Sequence, residues 1–194
     1  MPTSPSATQR NPLQERVAGA ILEAAARVLA AGGEQASMMD VAAAAGVARA
    51  TVYRYFPSRQ ALLQELAELA VKSAGERLTA ARIDAISVPE GITRAVRALV
   101  DVGDLFIVLA RERLRPEDRA FEREIAMPLR QLVERGQAAG VIRDEIPSSW
   151  LTDSLLGIVV SLLSSSRSHG REDIVAAIAS LFLEGARQRG AAAA

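Results

Sequence analysis

The sequence predicts an all-α protein of about nine helices. Apolar residues recur at spacings of three and four along most of the chain, which is the stripe of an amphipathic helix. No segment alternates apolar and polar residues over a useful length, as a half-buried strand would. Apolar residues make up 49% of the 194, too large a share for a disordered chain. We therefore expect one or two packed helical units.

Composition argues against several functional classes. The 23 basic residues equal the 23 acidic ones in number, so a surface for a polyanionic partner must be local. With no cysteine and a single histidine, His169, the chain offers no disulfide, no cysteine nucleophile and no imidazole cluster for a metal. His169 lies in a polar segment and fits no hydrolytic triad. We expect no enzyme, no metal site and no cofactor.

The N-terminal residues and the apolar stretches predict a cytoplasmic protein without membrane association. Residues 1–11 lack the apolar core of a signal peptide, and the longest uncharged stretch, residues 154–166, is too short to span a bilayer. Residues 1–11 are rich in Pro, Ser and Thr, so we expect a flexible arm. Its Arg10 either reaches a DNA minor groove or, as we favour, belongs to a free tail.

Residues 12–58 predict three helices. A helical stripe runs over residues 13–31 and stops at a glycine pair. Ser37 is a good N-cap for a short second helix, which Gly46 ends. The third helix, also short, reaches about Phe56, where a Pro-Ser pair resets the backbone and provides a cap for the fourth.

Residues 59–190 predict the remaining helices. The fourth helix extends to about residue 81, and Pro89 and Pro116 each begin a further helical segment. Pro128 crosses an apolar stripe, so either that helix kinks or two helices meet there. The last two helices, over residues 148–163 and 172–188, are strongly apolar.

Three residues of the second and third helices meet steric demands that are typical of a helix-turn-helix. Ala42 falls where the two helices cross, Gly46 falls in a turn that favours positive φ, and Val52 points back into the crossing. In DNA-binding proteins the second helix of such a pair enters the major groove. Alanine-rich chains also produce such pairs by chance, so a purely structural pair is the alternative.

Local charge favours the DNA-binding interpretation. Between residues 37 and 59 three arginines, Arg49, Arg54 and Arg59, face a single acid, Asp40. Hydroxyl groups that can donate to phosphate oxygens lie among these arginines, on Thr51, Tyr53 and Tyr55. This arrangement predicts a clamp on the DNA backbone.

The segment GVARATVYRYFPSRQALL, preceded by SMMDVAAAA, resembles the DNA-binding segment of the TetR (tetracycline repressor) family of transcriptional regulators. The close match covers about residues 13–66. The residues that carry it are Gly46, Val47, Thr51, Tyr53, Tyr55, Phe56, Ser58, Arg59 and Leu62. The remainder of the chain resembles the family in helix number and length.

The resemblance implies that Ala48, Arg49 and Ala50 read base edges. It implies phosphate contacts from Ser37, Thr51, Tyr53, Tyr55 and Arg59. Arginine can bind guanine O6 and N7 with both arms of its guanidinium, which suits Arg49 to this role.

This sequence also departs from the family pattern. Met39 stands where many members carry a DNA-contacting arginine. Ala48 replaces the usual Ser/Thr cap of the recognition helix, and the loss of this cap destabilises the helix by about 1 kcal/mol. Specificity could then rest on fewer direct contacts or on DNA shape. Roles without DNA contact are the alternatives. Tyr53 and Tyr55 could pack in the core, Arg54 could be a solvated side chain, and Ser37 could act only as a helix cap.

The last two helices carry more apolar surface than one domain needs. An isologous dimer, in which both helices meet their symmetry mates as a four-helix bundle, would cover this surface. Gly157 and Ser161 would allow close approach, and the resemblance implies the same interface. Two-fold symmetry then predicts a palindromic double-stranded DNA operator.

The resemblance also implies a small-molecule pocket within residues 59–190. Our candidates for its lining are Asp101, Asp104, Phe106, Arg111, Phe121, Met127 and Trp150. Two acids within an apolar run could form a site for a cationic ligand. The alternative that we favour is an Arg97–Asp101 pair one helical turn apart, with a solvated Asp104 and the aromatic residues as ordinary core.

These observations together predict a homodimeric repressor that a small-molecule effector releases from its operator. An activator or an architectural DNA-binding protein would use the same contacts. An all-α small-molecule-binding protein with a structural helix-turn-helix is the rival from another class. It predicts no salt-sensitive DNA binding.

Overall fold

The computed structural model describes residues 11–32, 35–112, 118–165 and 169–188, and in these ranges the prediction of an all-α protein is confirmed. The helices are α1 (Pro12–Gly32), α2 (Met38–Ala44), α3 (Arg49–Tyr55), α4 (Arg59–Ala80), α5 (Val88–Val100), α6 (Gly103–Arg111), α7 (Asp118–Phe121), α8 (Met127–Ala138), α9 (Ser148–Ser165) and α10 (Arg171–Ala186). A π-helical turn, Glu122–Ala126, joins α7 to α8 without a break. Counted as one helix, these three segments give nine helices in the described ranges, with a single isolated bridge, Ile142 to Arg187, and no strand.

The helix around Pro128 continues through the proline. In a regular α-helix the proline ring would collide with the carbonyl group one turn earlier, and its nitrogen has no hydrogen to donate. The π turn lies directly before this position, and its end is marked by a hydrogen bond from the Met127 backbone N–H to the Glu122 carbonyl. The wider turn accommodates the proline. Arg130 spans the turn by donating to Glu122 Oε1 at 2.8 Å.

Several predicted features lie outside the described residues. They are nearly all of the N-terminal arm with Arg10, the second glycine after α1, and the helix start at Pro116. The other helix starts agree with the sequence. Ser58 Oγ accepts a hydrogen bond from the Ala61 backbone N–H at 3.1 Å, and a proline stands in the first turn of α5.

The chain divides into two compact units between Glu65 and Leu66, within α4. In the first unit α2 packs against both α1 and α3. Ala42 and Val52 are buried at 3% and 0% exposure, as expected where two short helices cross. The core of this unit continues along α1 through Ile21 and Leu29.

The second unit is built around α5. This helix packs against α8, α9 and α10, and it buries the side chains of Ile92, Val96 and Leu99 completely. The facing side chains Leu132, Leu155 and Ile178 are equally buried, so apolar burial is the main stabilising contribution.

Helix α9 leaves much of its apolar surface uncovered. By length and composition its 18 residues could cross a membrane, with a mean hydropathy of 1.2, but such a helix also occurs in soluble proteins. The sequence analysis considered only the uncharged residues 154–166, which are too short to span a bilayer, whereas the whole helix is longer and contains Asp153. Only 28% of its residues are buried within the described part of the chain.

Candidate nucleic-acid interface

The start of α2 is held by a reciprocal cap. Ser37 Oγ accepts from the Asp40 backbone N–H at 3.2 Å and donates to Asp40 Oδ2 at 2.7 Å, while the Ser37 backbone N–H donates to the same oxygen at 2.8 Å. These hydrogen bonds, led by the one from the Ser37 hydroxyl, hold the pKa of Asp40 below its usual value. Both donors of Ser37 are therefore directed to Asp40, which favours its role as a cap.

The turn between α2 and α3 has the conformation that the motif predicts. Gly46 has φ of +66°, and the Val47 backbone N–H donates to the Ala42 carbonyl at 3.1 Å. A Cβ atom at Gly46 would meet nothing within 4 Å. Glycine is therefore needed here for its backbone conformation and not for space.

Helix α3 presents one polar face. Arg49, Ala50, Tyr53 and Arg54 are exposed on it, while Val52 on the opposite side is fully buried. Its N-cap, Ala48, provides no side-chain hydrogen bond, as expected from the missing Ser/Thr. The exposed positions follow helical spacing, so a partner that lies along α3 meets all four side chains together.

Two arginine–tyrosine contacts organise this face. The guanidinium carbon of Arg49 lies 5.3 Å from the centre of the Tyr53 ring, and that of Arg54 lies 5.3 Å from the centre of the Tyr55 ring. Such stacking leaves the edges of a guanidinium group available as donors. Tyr53 is 37% exposed, so the alternative of a purely core tyrosine does not describe it, and Tyr55 is half-buried.

Arg59 connects two parts of the first unit. Its side chain, at the start of α4, donates to the Ala36 carbonyl, one residue before the cap of α2. Arg59 therefore positions the helix-turn-helix in addition to carrying charge. Thr51 is half-buried in the first turn of α3.

The seven predicted ligand-binding residues differ in burial. Phe106 is buried in the core, Arg111 and Phe121 are half-buried, and Asp104, Met127 and Trp150 are exposed. Asp101 borders a shallow cavity of about 340 Å³.

The alternative of an Arg97–Asp101 pair holds only as an attraction between the two charges, which contributes to the raised pKa of Arg97. Arg97 donates instead to Glu172 of α10, with a shortest distance of 2.7 Å. Asp101 accepts from Arg77 and Arg171. Helix α10 packs against α5, and its first turn provides Glu172 and Arg171 as partners for these side chains. The hydrogen bond between Arg97 and Glu172 raises the pKa of Arg97 and lowers that of Glu172.

A larger cleft, of about 610 Å³, lies between α4 and the segment of α7 and the π turn. Its lining residues are Glu68, Val71, Lys72, Gly75, Glu76, Thr79, Ala80, Ala120, Arg123 and Glu124. A Cβ atom at Gly75 would lie only 2.9 Å from Glu124 Cβ, so the glycine permits this close approach. The sequence analysis missed this cleft, and a glycine within the long stripe of α4 was the signal that could have found it.

Comparison with known proteins identifies the family. The family described as "Bacterial regulatory proteins, tetR family" matches residues 21–66, which include the whole helix-turn-helix. The HTH-type transcriptional repressor LfrR of Mycolicibacterium smegmatis is 32% identical over 148 residues, or 76% of this chain and 77% of that protein. The chain belongs to the TetR family.

Solved structures extend the likeness over most of the TetR-family chain. LfrR from Mycobacterium smegmatis in complex with proflavine has a TM-score of 0.73 at 27% identity, with 88% of this chain and 96% of that chain covered. PfmR from Thermus thermophilus has a TM-score of 0.68 at 25% identity, with 84% and 97% covered. This TetR-family protein is a DNA-binding transcriptional regulator of the repressor type.

Proposed function

We propose that α3 enters the major groove of an operator and that Arg49 reads a base there. The exposed face of α3, with the Arg49 guanidinium stacked on Tyr53, carries this proposal. Ala48 and Ala50 flank Arg49 and approach base edges closely, because neither has a bulky side chain. Thr51, Tyr53, Tyr55 and Arg59 contact phosphates, whereas Ser37 acts by fixing the start of α2.

The operator is found by selecting bound DNA from a random pool at physiological salt. We expect enrichment of a palindrome whose half-sites lie about one helical turn, roughly 34 Å, or a multiple of it apart. A folded protein that enriches no sequence would reduce the helix-turn-helix to a structural element. An enriched site without two-fold symmetry would contradict a dimer on DNA.

The face of α9 and α10 that points away from the core supports a homodimer. Trp150 is 67% exposed and Leu181 is 58% exposed, and Gly157 and Ser161 leave room for a second helix. The opposite face of α9, including Leu155, is buried within the unit. A symmetric four-helix bundle would cover the exposed apolar side chains of both copies.

Leu181→Glu tests this interface because it places a charge at its centre. The variant should be monomeric by light scattering at a concentration where the unchanged protein is dimeric. Leu13→Glu is the matched control, since Leu13 on α1 is 62% exposed and lies in the other unit. A dimer that survives Leu181→Glu, or an unchanged protein that partitions into lipid vesicles through α9, would overturn the proposal.

The cleft between α4 and the π turn is the proposed site of a small-molecule effector. We propose residues 12–58 as the DNA-binding domain. We propose residues 59–190 as the domain that binds the effector and forms the dimer. Glu68, Glu76 and Glu124 outnumber Lys72 and Arg123 in the lining, which favours a cationic ligand. The effector would release DNA only if it binds the DNA-free conformation more tightly. We place the protein in the cytoplasm, where its operator is.

Proflavine, the compound bound in the LfrR structure, is a suitable fluorescent and cationic probe. We expect it to bind and to release the selected operator, and Glu124→Gln to weaken its binding. Glu122→Gln is the matched control, because Glu122 pairs with Arg130 and does not line the cleft. Equal effects of the two variants would place the effector elsewhere.

A further inference from the structure

Four arginines of the second unit gather where α4, α5 and α10 meet. Arg77 of α4 and Arg171 of α10 both donate to Asp101, which caps the end of α5, with N–O distances of 3.5 and 3.3 Å. Arg94 and Arg97 project from α5 beside them. The proposed DNA contacts and the proposed effector cleft use none of these side chains.

Among the contacts of the described residues, the ion pairs in this cluster occupy only some of the guanidinium donors. Arg94 Nε donates to Glu90 at 2.8 Å, and Arg97 donates to Glu172 through Nε and one terminal nitrogen. A guanidinium group has five N–H donors, and each of these pairs uses one or two. The distances to Asp101 are also longer than the 2.7–2.9 Å that is usual for a charge-assisted hydrogen bond.

Space is available between these arginines. A shallow cavity of about 340 Å³ is bordered by Arg77, Arg94, Arg97 and Asp101, while Glu90 and Glu172 pair with Arg94 and Arg97. Its remaining lining consists of Ala80, Ala81 and Ala98. The small alanine side chains let a ligand reach the guanidinium groups, and the four arginines of the cluster outnumber their three acidic partners, Asp101, Glu90 and Glu172, by one.

We propose that this arginine cluster binds a small molecule with a multiply charged oxyanion, either a phosphate ester or a polycarboxylate. Guanidinium groups bind such anions through parallel pairs of hydrogen bonds, and groups from α4 and α5 can hold one anion from two sides. The bound anion accepts hydrogen bonds from guanidinium groups that contact Asp101 only at 3.3–3.5 Å. Asp101 therefore competes with the ligand.

The experiment titrates pyrophosphate and citrate into the full chain by calorimetry, with sodium chloride at matched ionic strength as the reference. Each of Arg77→Gln and Arg94→Gln should weaken binding about tenfold, the effect of losing one charged hydrogen bond. Asp101→Asn should tighten binding several-fold, because it removes the competing carboxylate. Arg49→Gln is the matched control, since the DNA face also attracts anions.

Each outcome decides the proposal. Binding of pyrophosphate alone identifies a phosphate ligand, and binding of citrate alone identifies a polycarboxylate. Heat equal to that of the salt reference, loss of binding in Arg49→Gln alone, or weaker binding in Asp101→Asn would overturn the site. Melting temperatures check folding, and Arg94→Gln keeps the test valid if Arg77→Gln is unstable, because Arg94 pairs only with Glu90 of its own helix among the described contacts.

Discussion

The helix-turn-helix and the cleft beside α4 are built from contacts of different range along the chain. In the helix-turn-helix, a cap joins residues three positions apart, and Arg49 stacks on Tyr53. A hydrogen bond from Arg59 to the Ala36 carbonyl joins residues 23 positions apart. In the second, the close approach is between Gly75 and Glu124, on helices separated by α5 and α6. A site made by local contacts leaves a spaced motif in the sequence, whereas a cleft made by long-range packing leaves little more than a glycine.

Removal of Arg49 should produce the largest effect. Arg49→Ala removes the one long donor among the three proposed base-reading residues, and a good bidentate contact to a base is worth about 1–3 kcal/mol of discrimination. We expect loss of preference at one base pair in each half-site, with binding weakened roughly tenfold to hundredfold for each half-site. Competition binding with operators altered at single positions measures this.

Arg123→Ala is the control in the other unit. Arg123 lines the cleft and forms a pair with Glu124, so its removal should leave operator affinity unchanged and affect effector binding. If Arg49→Ala weakened all sequences equally, Arg49 would be a phosphate contact. Arg49 would then position the protein on DNA and would not contribute to its sequence specificity.

The same difference in range explains how far the sequence analysis could go. Helix starts at Ser37 and Ser58, the positive φ at Gly46 and the burial of Val52 each follow from a few neighbouring residues, and each could be predicted. The partner of Arg97 could not. Spacing within α5 offered Asp101, but folding brings Glu172 from 75 positions away, a contact that no local pattern encodes.

The orientation of the predicted ligand-site residues was hidden from the sequence for the same reason. Acids within an apolar run and aromatic side chains were chosen by type, yet Phe106 turned into the core and Trp150 turned outward. Direction depends on which face of a helix its neighbours cover. The π turn that carries Glu124 was equally hidden, because Pro128 alone does not reveal how a helix accommodates it.

Two glycines in helices should respond to alanine with opposite signs. Gly75→Ala places a Cβ atom 2.9 Å from Glu124 Cβ, and overpacking of about 1–3 kcal/mol outweighs the roughly 1 kcal/mol gained in helix propensity. Gly19→Ala in α1 meets nothing within 4 Å and should gain about 0.5–1 kcal/mol. Urea denaturation measures both, and a stabilising Gly75→Ala would show that the π turn yields easily.

Two glycines in turns should respond alike in stability and differently in function. Gly46 and Gly140 both have φ of +66° and open space around them, so alanine at either position should cost about 1 kcal/mol through backbone strain. Only Gly46→Ala should also weaken operator binding, because Gly46 sets the angle between α2 and α3. Equal loss of DNA binding in both variants would mean that general stability, not local geometry, controls the interface.

The smallest expected effect concerns the cap of α2. The hydrogen bonds from Ser37 hold the pKa of Asp40 below its usual value, so the carboxylate stabilises the folded state. This contribution is fully present above the pKa of the unfolded chain and is lost as pH falls through the lower pKa of the folded state. Asp40→Asn should therefore lower the melting temperature slightly near pH 7, and the difference from the unchanged protein should vanish in acid. Asp144→Asn, at an exposed loop aspartate before α9, is the control and should show no such convergence. A difference for Asp40→Asn that persists unchanged to low pH would mean that the serine hydroxyl alone caps α2.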